Sequence, residues 1–114
     1  VLLDIYDFFE RGISQIDNKK IVLDPGIGFG KNLKHNLTLI SNISLFHSLG
    51  FPILIGTSRK SFIGDLLKFP PEKRLEGTIS SNLYAIILGV KIIRFHDVLE
   101  VRKALTILEK ILKA

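Results

Sequence analysis

Hydrophobic residues recur along this chain with two spacings, one typical of helices and one typical of short buried strands. Steps of three and four residues place apolar side chains on one face of a helix, whereas short runs of branched aliphatic residues favour strands. Helices are predicted at 1–16, 33–48, 77–88 and 98–113, with a further short helix after Ser61 that ends at 67, and strands are predicted at 21–23, 53–55 and 92–95. The chain is therefore one helix followed by three strand–helix units, with no linker that divides it into separate domains.

The same spacing predicts which side chains are buried and where helices begin and end. Asn32 and Ser61 are suited to cap the helices that follow them, because short polar side chains accept hydrogen bonds from the first free amides. Gly50 and Gly89 are expected to end the helices before them. The expected inward-facing residues are Leu2, Tyr6, Phe9, Ile13, Ile16, Leu33, Leu37, Ile40, Ile43, Phe46, Ile79, Leu83, Ile86, Ile87, Val98, Val101, Leu105, Leu108 and Leu112.

Alternating strands and helices predict an α/β fold in which parallel strands are joined by right-handed crossovers and covered by helices. Two architectures have this order, an open doubly wound sheet and a (β/α)8 barrel, and three strands are less than half of a barrel. Both place ligands at the carboxyl ends of the strands. Asp24, residues 58–60, and Arg94 with His96 all follow such ends, so we expect them to lie close together.

The composition is that of an ordinary globular chain, with 46% hydrophobic and 24% charged residues among 114. The absence of cysteine excludes disulfides and thiolate metal sites from this sequence. We expect no membrane partner and no nucleic acid, because the sequence has no long apolar run and no basic stripe interleaved with aromatic residues. A small anionic ligand accounts for part of the net charge of +5. Because the sequence lacks Met and opens inside an amphipathic pattern, we expect a C-terminal piece of a longer protein.

The first candidate site residue is Asp24, where an apolar strand stops and the glycine-rich loop DPGIGFGK begins at 24–31. Its carboxylate could accept two parallel hydrogen bonds from an amidine-like ligand edge, or it could bind the backbone amides of its own loop. Glycines at 26, 28 and 30 fit neither the dinucleotide fingerprint nor a P-loop. A dinucleotide-binding function is therefore not favoured.

Basic residues follow the second and third predicted strands. Lys60 could donate to a carbonyl or phosphate oxygen with Ser58 beside it, or it could be a solvated loop lysine. Arg94 and His96 lie on one face of the third strand, where the guanidinium and imidazole could together bind an anion. Alternatively, Arg94 pairs with Asp97 while His96 only caps the last helix.

Four segments together resemble the dihydropteroate synthases of the pterin-binding family. They are DPGIGFGK at 24–31, GTSRKS at 56–61, EGT at 76–78 and RFHDV at 94–98, in the family's order and approximate spacing. The resemblance implies the C-terminal part of a (β/α)8 TIM barrel, with residues 1–114 forming part of a single pterin-binding domain. It implies a transferase of folate biosynthesis, which condenses 6-hydroxymethyl-7,8-dihydropterin diphosphate with 4-aminobenzoate and releases 7,8-dihydropteroate and diphosphate.

The resemblance also implies how the two substrates are bound. Asp24 is expected to bind the amino-pyrimidine edge of the pterin and Lys60 to bind the pterin from the other side. Ser58 is expected to help receive the aminobenzoate carboxylate, and Phe29 to form part of the wall of that pocket. Gly28 is expected to let its loop pack close to the ligands.

For the reaction itself, the resemblance implies that Arg94 and His96 hold the diphosphate leaving group, and that Lys60 is the third catalytic residue. Mg2+ is the implied cofactor, with its ligand in an N-terminal half and none in these 114 residues. A cytoplasmic homodimer that is a sulfonamide target is implied for the full-length enzyme. This chain alone is not expected to catalyse the reaction.

Two alternatives stay open at this point. One is a methyltetrahydrofolate:corrinoid methyltransferase, another pterin-binding barrel, which expels no diphosphate and has less need of Arg94 and His96. The other is a non-catalytic barrel fragment. The presence of Asp24, Lys60, Arg94 and His96 together argues against a degenerate fragment.

Overall fold

The computed structural model describes residues 2–14, 21–29 and 31–114, which form helices and two short strands. The α-helices are α1 (Leu2–Ser14), α2 (Leu33–Ser41), α3 (Ser61–Leu67), α4 (Leu75–Ile87) and α5 (Val98–Leu112). The strands are β1 (Leu54–Ile55) and β2 (Ile92–Ile93), and 3-10 helices span Ile43–Leu49 and Pro71–Lys73. No helix in the described part of the chain has the length and apolar character that crossing a membrane requires.

Three extended segments lie side by side and parallel, as the strand–helix order predicts. In β1 and β2, Leu54 pairs with Ile92 and Ile55 with Ile93. The predicted strand at 21–23 is reduced to an isolated parallel bridge between Leu23 and Ile53. The middle segment, which contains β1, pairs with both of the others. Each of the other two segments pairs only with this middle one among the described residues, so regular pairing is short.

The helices cover one face of these segments. Each α-helix packs against the next one in chain order, from α1 to α5. Ile53 and Ile55 belong to the buried core together with residues of these helices. By strand alternation Val22 and Ile92 lie on the opposite face, where they are 47% and 38% exposed. A sheet covered on one side differs from a complete doubly wound sheet, which has helices on both faces.

The hydrophobic core lies between the strands and the helices that follow them. Leu39, Ile43 and Phe46 have no solvent-exposed surface, and the ring of Phe9 meets that of Phe46 edge to face at a centroid distance of 5.4 Å. Burying each such side chain contributes about 1.5–3 kcal/mol. This core fixes the positions of the strand ends where the candidate site residues lie.

The second predicted helix, 33–48, is wrong as one continuous element, because Asn42 interrupts it. The side-chain amide of Asn42 donates to the carbonyl oxygen of Thr38 at 2.9 Å, and the chain continues as the 3-10 helix. Such local side-chain bonds compete with the helical pattern. The Asn32 cap is confirmed, since its Oδ1 accepts from the amide of His35 at 2.8 Å. Gly50 ends the 3-10 helix with φ of 84°, as predicted.

Several burial predictions have the right period but the wrong phase. Leu37 is 40% exposed, Ile87 57%, Val98 60% and Leu112 58%, although each was predicted to face inward. On α4 the buried residues are Thr78, Asn82 and Ala85, and the predicted residues Ile79, Leu83 and Ile86 are only partly buried. These polar residues are buried because their side chains bond to a neighbouring loop.

The remaining predictions concern the first helix and α3. Phe9 is buried, and Leu2, Tyr6 and Ile13 pack against the core, so the inward face of α1 is confirmed. Ile16 lies outside the described residues. Ser61 is the first helical residue of α3 and not its cap, because Lys60 occupies the cap position.

Candidate ligand-binding site

The glycine-rich loop, described at residues 24–29 and 31, is held in part by its own side chains. Asp24 Oδ1 accepts a hydrogen bond from the amide of Gly26 at 2.8 Å, which closes an Asx turn. Lys31 Nζ donates to the carbonyl oxygens of Gly26 and Phe29, both at 2.8 Å. Gly26 and Gly28 have φ of 73° and 86°, a conformation that glycine adopts without strain.

A buried residue of α2 also holds this loop. Asn36 is 1% exposed, and its Oδ1 accepts from the amide of Gly28 at 2.8 Å. Sequence reasoning missed Asn36, although a polar residue next to a helical apolar stripe was a signal that could have found it. With these bonds the amides of Gly26 and Gly28 are occupied, so the loop is not a phosphate cradle built from those two groups.

Lys60 lies across the glycine-rich loop. A Cβ atom at Gly28 would come within 2.8 Å of Lys60 Cδ, so any other residue there would displace the Lys60 side chain. The Lys60 ammonium donates to the carbonyl oxygen of Ile27 and lies 4.4 Å from the centroid of the Phe29 ring. Phe29 is 64% exposed, so this cation–π contact lies at the surface of the site.

The surroundings of Lys60 lower its pKa from the ordinary value of 10.5. Loss of hydration is the largest cause, followed by the positive charge of Arg94. The carboxylate of Asp24 opposes this effect, and Lys31 adds to it. Lys60 is therefore a cation in a cluster with excess positive charge, which is an environment that suits an electron-rich ligand.

The side chain of Arg94 extends from the third strand end across the second strand end to Asp24 at the first. Its side chain packs directly over Gly56, where any Cβ would meet the guanidinium at 2.7 Å. Its Nη1 donates to Asp24 Oδ2 at 3.3 Å, with the two side chains 54% and 35% exposed. An ion pair this exposed contributes about 0–1 kcal/mol, so a ligand can displace it at small cost. Asp24 therefore bonds the backbone of its own loop, and its other carboxylate oxygen contacts Arg94.

Ser58 and His96 form the link between the second and third strand ends. Ser58 Oγ accepts from the backbone amide of His96 at 3.1 Å and lies 2.8 Å from His96 Nδ1. Ser58 is 6% exposed, whereas His96 is exposed. The prediction that His96 merely caps the last helix is not supported, since its ring contacts Ser58 across 38 positions of sequence.

Sequence analysis missed the ion pair of Arg59 with Asp97. Arg59 Nη2 donates to Asp97 Oδ1 at 2.6 Å and Arg59 Nε to Asp97 Oδ2 at 3.2 Å, a forked arrangement. Hydrogen bonding to Arg59 lowers the pKa of Asp97 below 3.8, and the same bond raises the pKa of Arg59. The alternative in which Arg94 pairs with Asp97 is wrong, because Arg59 occupies that carboxylate.

A cavity of about 170 Å3 collects most of these groups. It is lined by Gly56, Ser58, Lys60, Arg94, Phe95 and His96. Asp24 does not line the cavity but contacts the lining residue Arg94. Gly28 and Phe29 likewise contact the lining residue Lys60. The three strand ends therefore meet at one site, as the parallel topology predicts. Strand alternation places Phe95 on the face opposite Arg94 and His96, and sequence reasoning missed its place in the lining.

The site offers cations and hydrogen-bond donors. Among the described residues no group of three or more His, Asp, Glu or Cys could hold a metal ion. Chemically, the arrangement can bind a neutral heterocycle next to a carboxylate and an anionic group beside Arg94 and His96.

Comparisons with known proteins give the same family from sequence and from structure. Residues 10–96 match the family described as pterin binding enzyme. Dihydropteroate synthase of Escherichia coli strain K12 is 46% identical over 99 residues, which are 87% of this chain and 35% of that protein. The chain therefore spans about a third of the length of this curated relative.

Two solved structures superpose on nearly the whole chain. The Yersinia pestis dihydropteroate synthase has a TM-score of 0.93 and 42% identity, covering 98% of this chain and 55% of its own. The Clostridium difficile dihydropteroate synthase, determined in the presence of pteroic acid, has a TM-score of 0.89 and 44% identity, covering 95% of this chain and 43% of its own. On the family match and these likenesses, the chain belongs to the family of pterin-binding enzymes.

Proposed function

We propose that this chain is the C-terminal portion of a dihydropteroate synthase and carries the half of its active site that binds the pterin and the diphosphate. The observation that carries the proposal is the meeting of Asp24, Lys60, Arg94 and His96 at one edge of three parallel segments. The synthase relatives support it over the methyltransferase alternative. The pteroic acid of the Clostridium difficile structure contains both a pterin and an aminobenzoate group, the two halves that such a site would join.

For the pterin, we assign Asp24 and Lys60 to opposite sides of the ring. The Asp24 carboxylate keeps lone pairs after accepting from Gly26, so it can take the amino group and ring N–H of the pyrimidine edge. A ligand that does so replaces Arg94 as the partner of Asp24 Oδ2. Lys60 then donates to an acceptor on the ring while Phe29 stays beside it.

For the leaving group, we assign Arg94 and His96. The reaction breaks the bond between the pterin methylene carbon and the diphosphate oxygen, and forms a bond from that carbon to the aminobenzoate nitrogen, which loses a proton. Negative charge develops on the departing oxygen, and donors held near that oxygen lower the barrier. Arg94, freed from Asp24, and the ring of His96 supply those donors, and no nucleophilic side chain is required.

Ser58 has surroundings that refine its proposed role. Its hydroxyl is nearly buried and is bonded to His96. We propose that Ser58 meets the aminobenzoate carboxylate only at the edge of the site, and that its constant task is to orient the His96 ring. Phe29, which is exposed, provides the wall against which the aminobenzoate ring packs.

The remaining features of the full-length synthase are also part of the proposal. The one-sided helix layer and the exposed Val22 and Ile92 on the other face fit the inner wall of a (β/α)8 barrel, with residues 1–114 inside one domain. We propose Mg2+ as cofactor, a homodimer and a cytoplasmic location, as the family resemblance implies. The described residues fit no Mg2+ cage, so no ligand is assigned to them and no step depends on the metal.

The test uses a chimera, the Escherichia coli synthase whose matching 99 residues are replaced by those of this chain. We expect it to fold, bind pteroic acid and make dihydropteroate. Arg94→Ala should lower turnover by roughly a hundredfold, because one donor to the developing charge is lost. Arg102→Ala, at an exposed arginine of α5, is the matched control and should leave turnover unchanged.

Three results would contradict the proposal. A chimera that folds but neither binds pteroic acid nor forms product favours the non-catalytic fragment. Unchanged turnover and pterin diphosphate affinity in Arg94→Ala removes the diphosphate role of Arg94. Equal losses in Arg94→Ala and Arg102→Ala point to a general loss of positive charge and not to a site.

A further inference from the structure

The TSRK segment, residues 57–60, has an unusual backbone between its two ligand-facing side chains. Arg59 has φ of 54°, in the left-handed region that residues other than glycine seldom adopt. Ser58 precedes it and Lys60 follows it, so this conformation sets the direction of both. Such backbone strain persists only where the surrounding structure holds it in place.

Three residues hold Arg59 in that conformation: Thr78 of α4, and Arg74 and Asp97, which are the N-cap residues of α4 and α5. Its amide donates to Thr78 Oγ1 at 3.0 Å, and its carbonyl oxygen accepts from Arg74 Nη1 at 2.9 Å. Its side chain forms the fork with Asp97 at the start of α5. Both backbone groups and the guanidinium of one residue are thus fixed from outside the segment.

Thr78 belongs to the EGT segment at 76–78, for which the ligand site provides no role. It has no solvent-exposed surface and lies on α4, where an apolar residue would be usual. One turn further along, Asn82 is equally buried, and its Oδ1 accepts from Thr57 Oγ1 at 3.1 Å. A buried polar side chain is costly unless it is bonded, and the hydroxyl of Thr78 and the Oδ1 of Asn82 are both bonded to the TSRK segment. The Nδ2 of Asn82 has no hydrogen-bond partner among the described residues.

The Arg59–Asp97 pair also ties the second strand end to the third. It lies next to the Ser58–His96 pair in sequence, and each pair spans 38 positions. Asp97 directly follows His96, so the fork fixes the distance between the segment that carries Lys60 and the segment that carries Arg94 and His96.

We propose that Thr78, Arg59 and Asp97 are positioning residues that hold the TSRK segment so that Lys60 meets the pterin and Ser58 meets His96. This inference rests on the proposed synthase function and assigns that function three further residues, none of which lines the ligand cavity. They act through Lys60 and Ser58 and touch neither substrate.

The test makes two separate single substitutions of Thr78 in the chimera. Thr78→Val keeps the shape but removes the acceptor for the Arg59 amide, whereas Thr78→Ser keeps the hydroxyl. We expect Thr78→Val to lower kcat/KM and pteroic acid affinity by about 10- to 100-fold, the usual effect of misplacing a binding group by about 1 Å. Thr78→Ser should keep most of the kcat/KM and pteroic acid affinity of the unchanged chimera. A purely steric role of Thr78 would not predict this, because serine lacks the methyl group.

Arg59→Lys and Asp97→Asn test the fork. Lysine retains the charge but cannot form two parallel bonds, so Arg59→Lys should weaken pteroic acid binding although the net charge is unchanged. The double variant should lose less than the sum of the single losses, because both remove one interaction. Ile43→Val, which removes a buried methylene group from the 3-10 helix, controls for a general loss of stability.

A readout that does not depend on activity separates this inference from the proposed function. The 13Cε resonance of Lys60 is expected to be shifted by the Phe29 ring, 4.4 Å from Nζ, and to move toward the position of a solvated lysine in Thr78→Val. If the chimera lacks synthase activity but this shift occurs, the proposed function fails while the positioning inference holds. A Lys60 resonance and a pteroic acid affinity that stay unchanged in Thr78→Val and Arg59→Lys overturn it, as does an equal loss in Ile43→Val.

Discussion

The glycine-rich loop and the TSRK segment both carry groups that we propose bind the ligand, but they hold their shapes in different ways. The loop takes its left-handed conformations at Gly26 and Gly28 and is bonded largely within itself, through Asp24 and Lys31. The TSRK segment takes its left-handed conformation at Arg59 and is bonded to residues 15 to 38 positions away. The loop is a local structure, whereas the segment depends on the assembly of α4 and α5.

This difference has a functional consequence. A change inside the glycine-rich loop should act on the ligand directly and leave the rest of the fold intact. A change that acts on the TSRK segment can lie on another helix and still alter binding. Four predictions test this distinction, from the largest expected effect to the smallest.

Asp24→Asn separates the ligand role of the loop from its structural role. Asparagine keeps an oxygen for the amide of Gly26, so the turn should persist. It lacks the charge and the second acceptor, and we expect pteroic acid affinity to fall by about 10- to 100-fold, the value of one charged hydrogen bond. Calorimetric titration of the chimera measures it, with the exposed Asp65→Asn as control. A loss of thermal stability without a loss of affinity would show that Asp24 serves only its loop.

Gly28→Ala and Gly50→Ala form a matched pair within one chain. Both positions have left-handed backbone, with φ of 86° and 84°, so both substitutions should cost roughly 1–2 kcal/mol of stability. Only at Gly28 would the new methyl group meet another side chain, Lys60 Cδ at 2.8 Å, whereas nothing lies within 4 Å at Gly50. Gly28→Ala should therefore also weaken pteroic acid binding in the same titration, and Gly50→Ala should not. Equal affinities would mean that Lys60 does not need its place over the loop.

Arg59→Gly and Lys68→Gly test whether the strain in the TSRK segment is compensated by its contacts. Both residues have positive φ, 54° and 63°, and glycine removes that strain at either position. Lys68 is exposed at the end of α3, so Lys68→Gly should stabilise the chimera by about 1 kcal/mol. Arg59→Gly loses the fork to Asp97 and should give no such gain. Chemical denaturation measures both, and an equal gain at Arg59 would mean that the fork contributes nothing to stability.

The same contrast explains how much of the site could be predicted from sequence. The order of helices and strands, the Asn32 cap and the convergence of Asp24, Lys60, Arg94 and His96 follow from local patterns and parallel topology. The Arg59–Asp97 fork does not, because the sequence gives no reason to pair residues 38 positions apart. Arg94, three residues before Asp97, was the partner considered from the sequence, but its side chain packs over Gly56 and donates to Asp24.

Burial was predicted less well on α4 than on α1 for a related reason. Apolar periodicity finds the inward face when only apolar residues are buried, as at Phe9. On α4 the buried face includes Thr78 and Asn82, whose burial depends on partners in the TSRK segment. A prediction from hydrophobicity alone therefore assigned the neighbouring isoleucines to the buried face. One of them, Ile87, is 57% exposed.

The smallest effect at neutral pH concerns Lys60, the residue where the two regions meet. Loss of hydration and then Arg94 lower its pKa below 10.5, with Lys31 adding to this and Asp24 opposing it. Between that lowered pKa and 10.5 the unfolded chain binds more protons than the folded chain, so this group's contribution to stability rises with pH. Pteroic acid affinity should change in the opposite direction, because the ligand is bound by the protonated amine.

In the chimera we expect pteroic acid affinity to be level well below the lowered pKa of Lys60 and to fall as pH rises through it. Lys60→Arg should remove that fall, because arginine stays charged. Titrations of both proteins against the same pH series cancel the ionisation of the ligand itself. If the two profiles coincide, Lys60 does not bind the pterin as a cation, and the contact between loop and segment is structural.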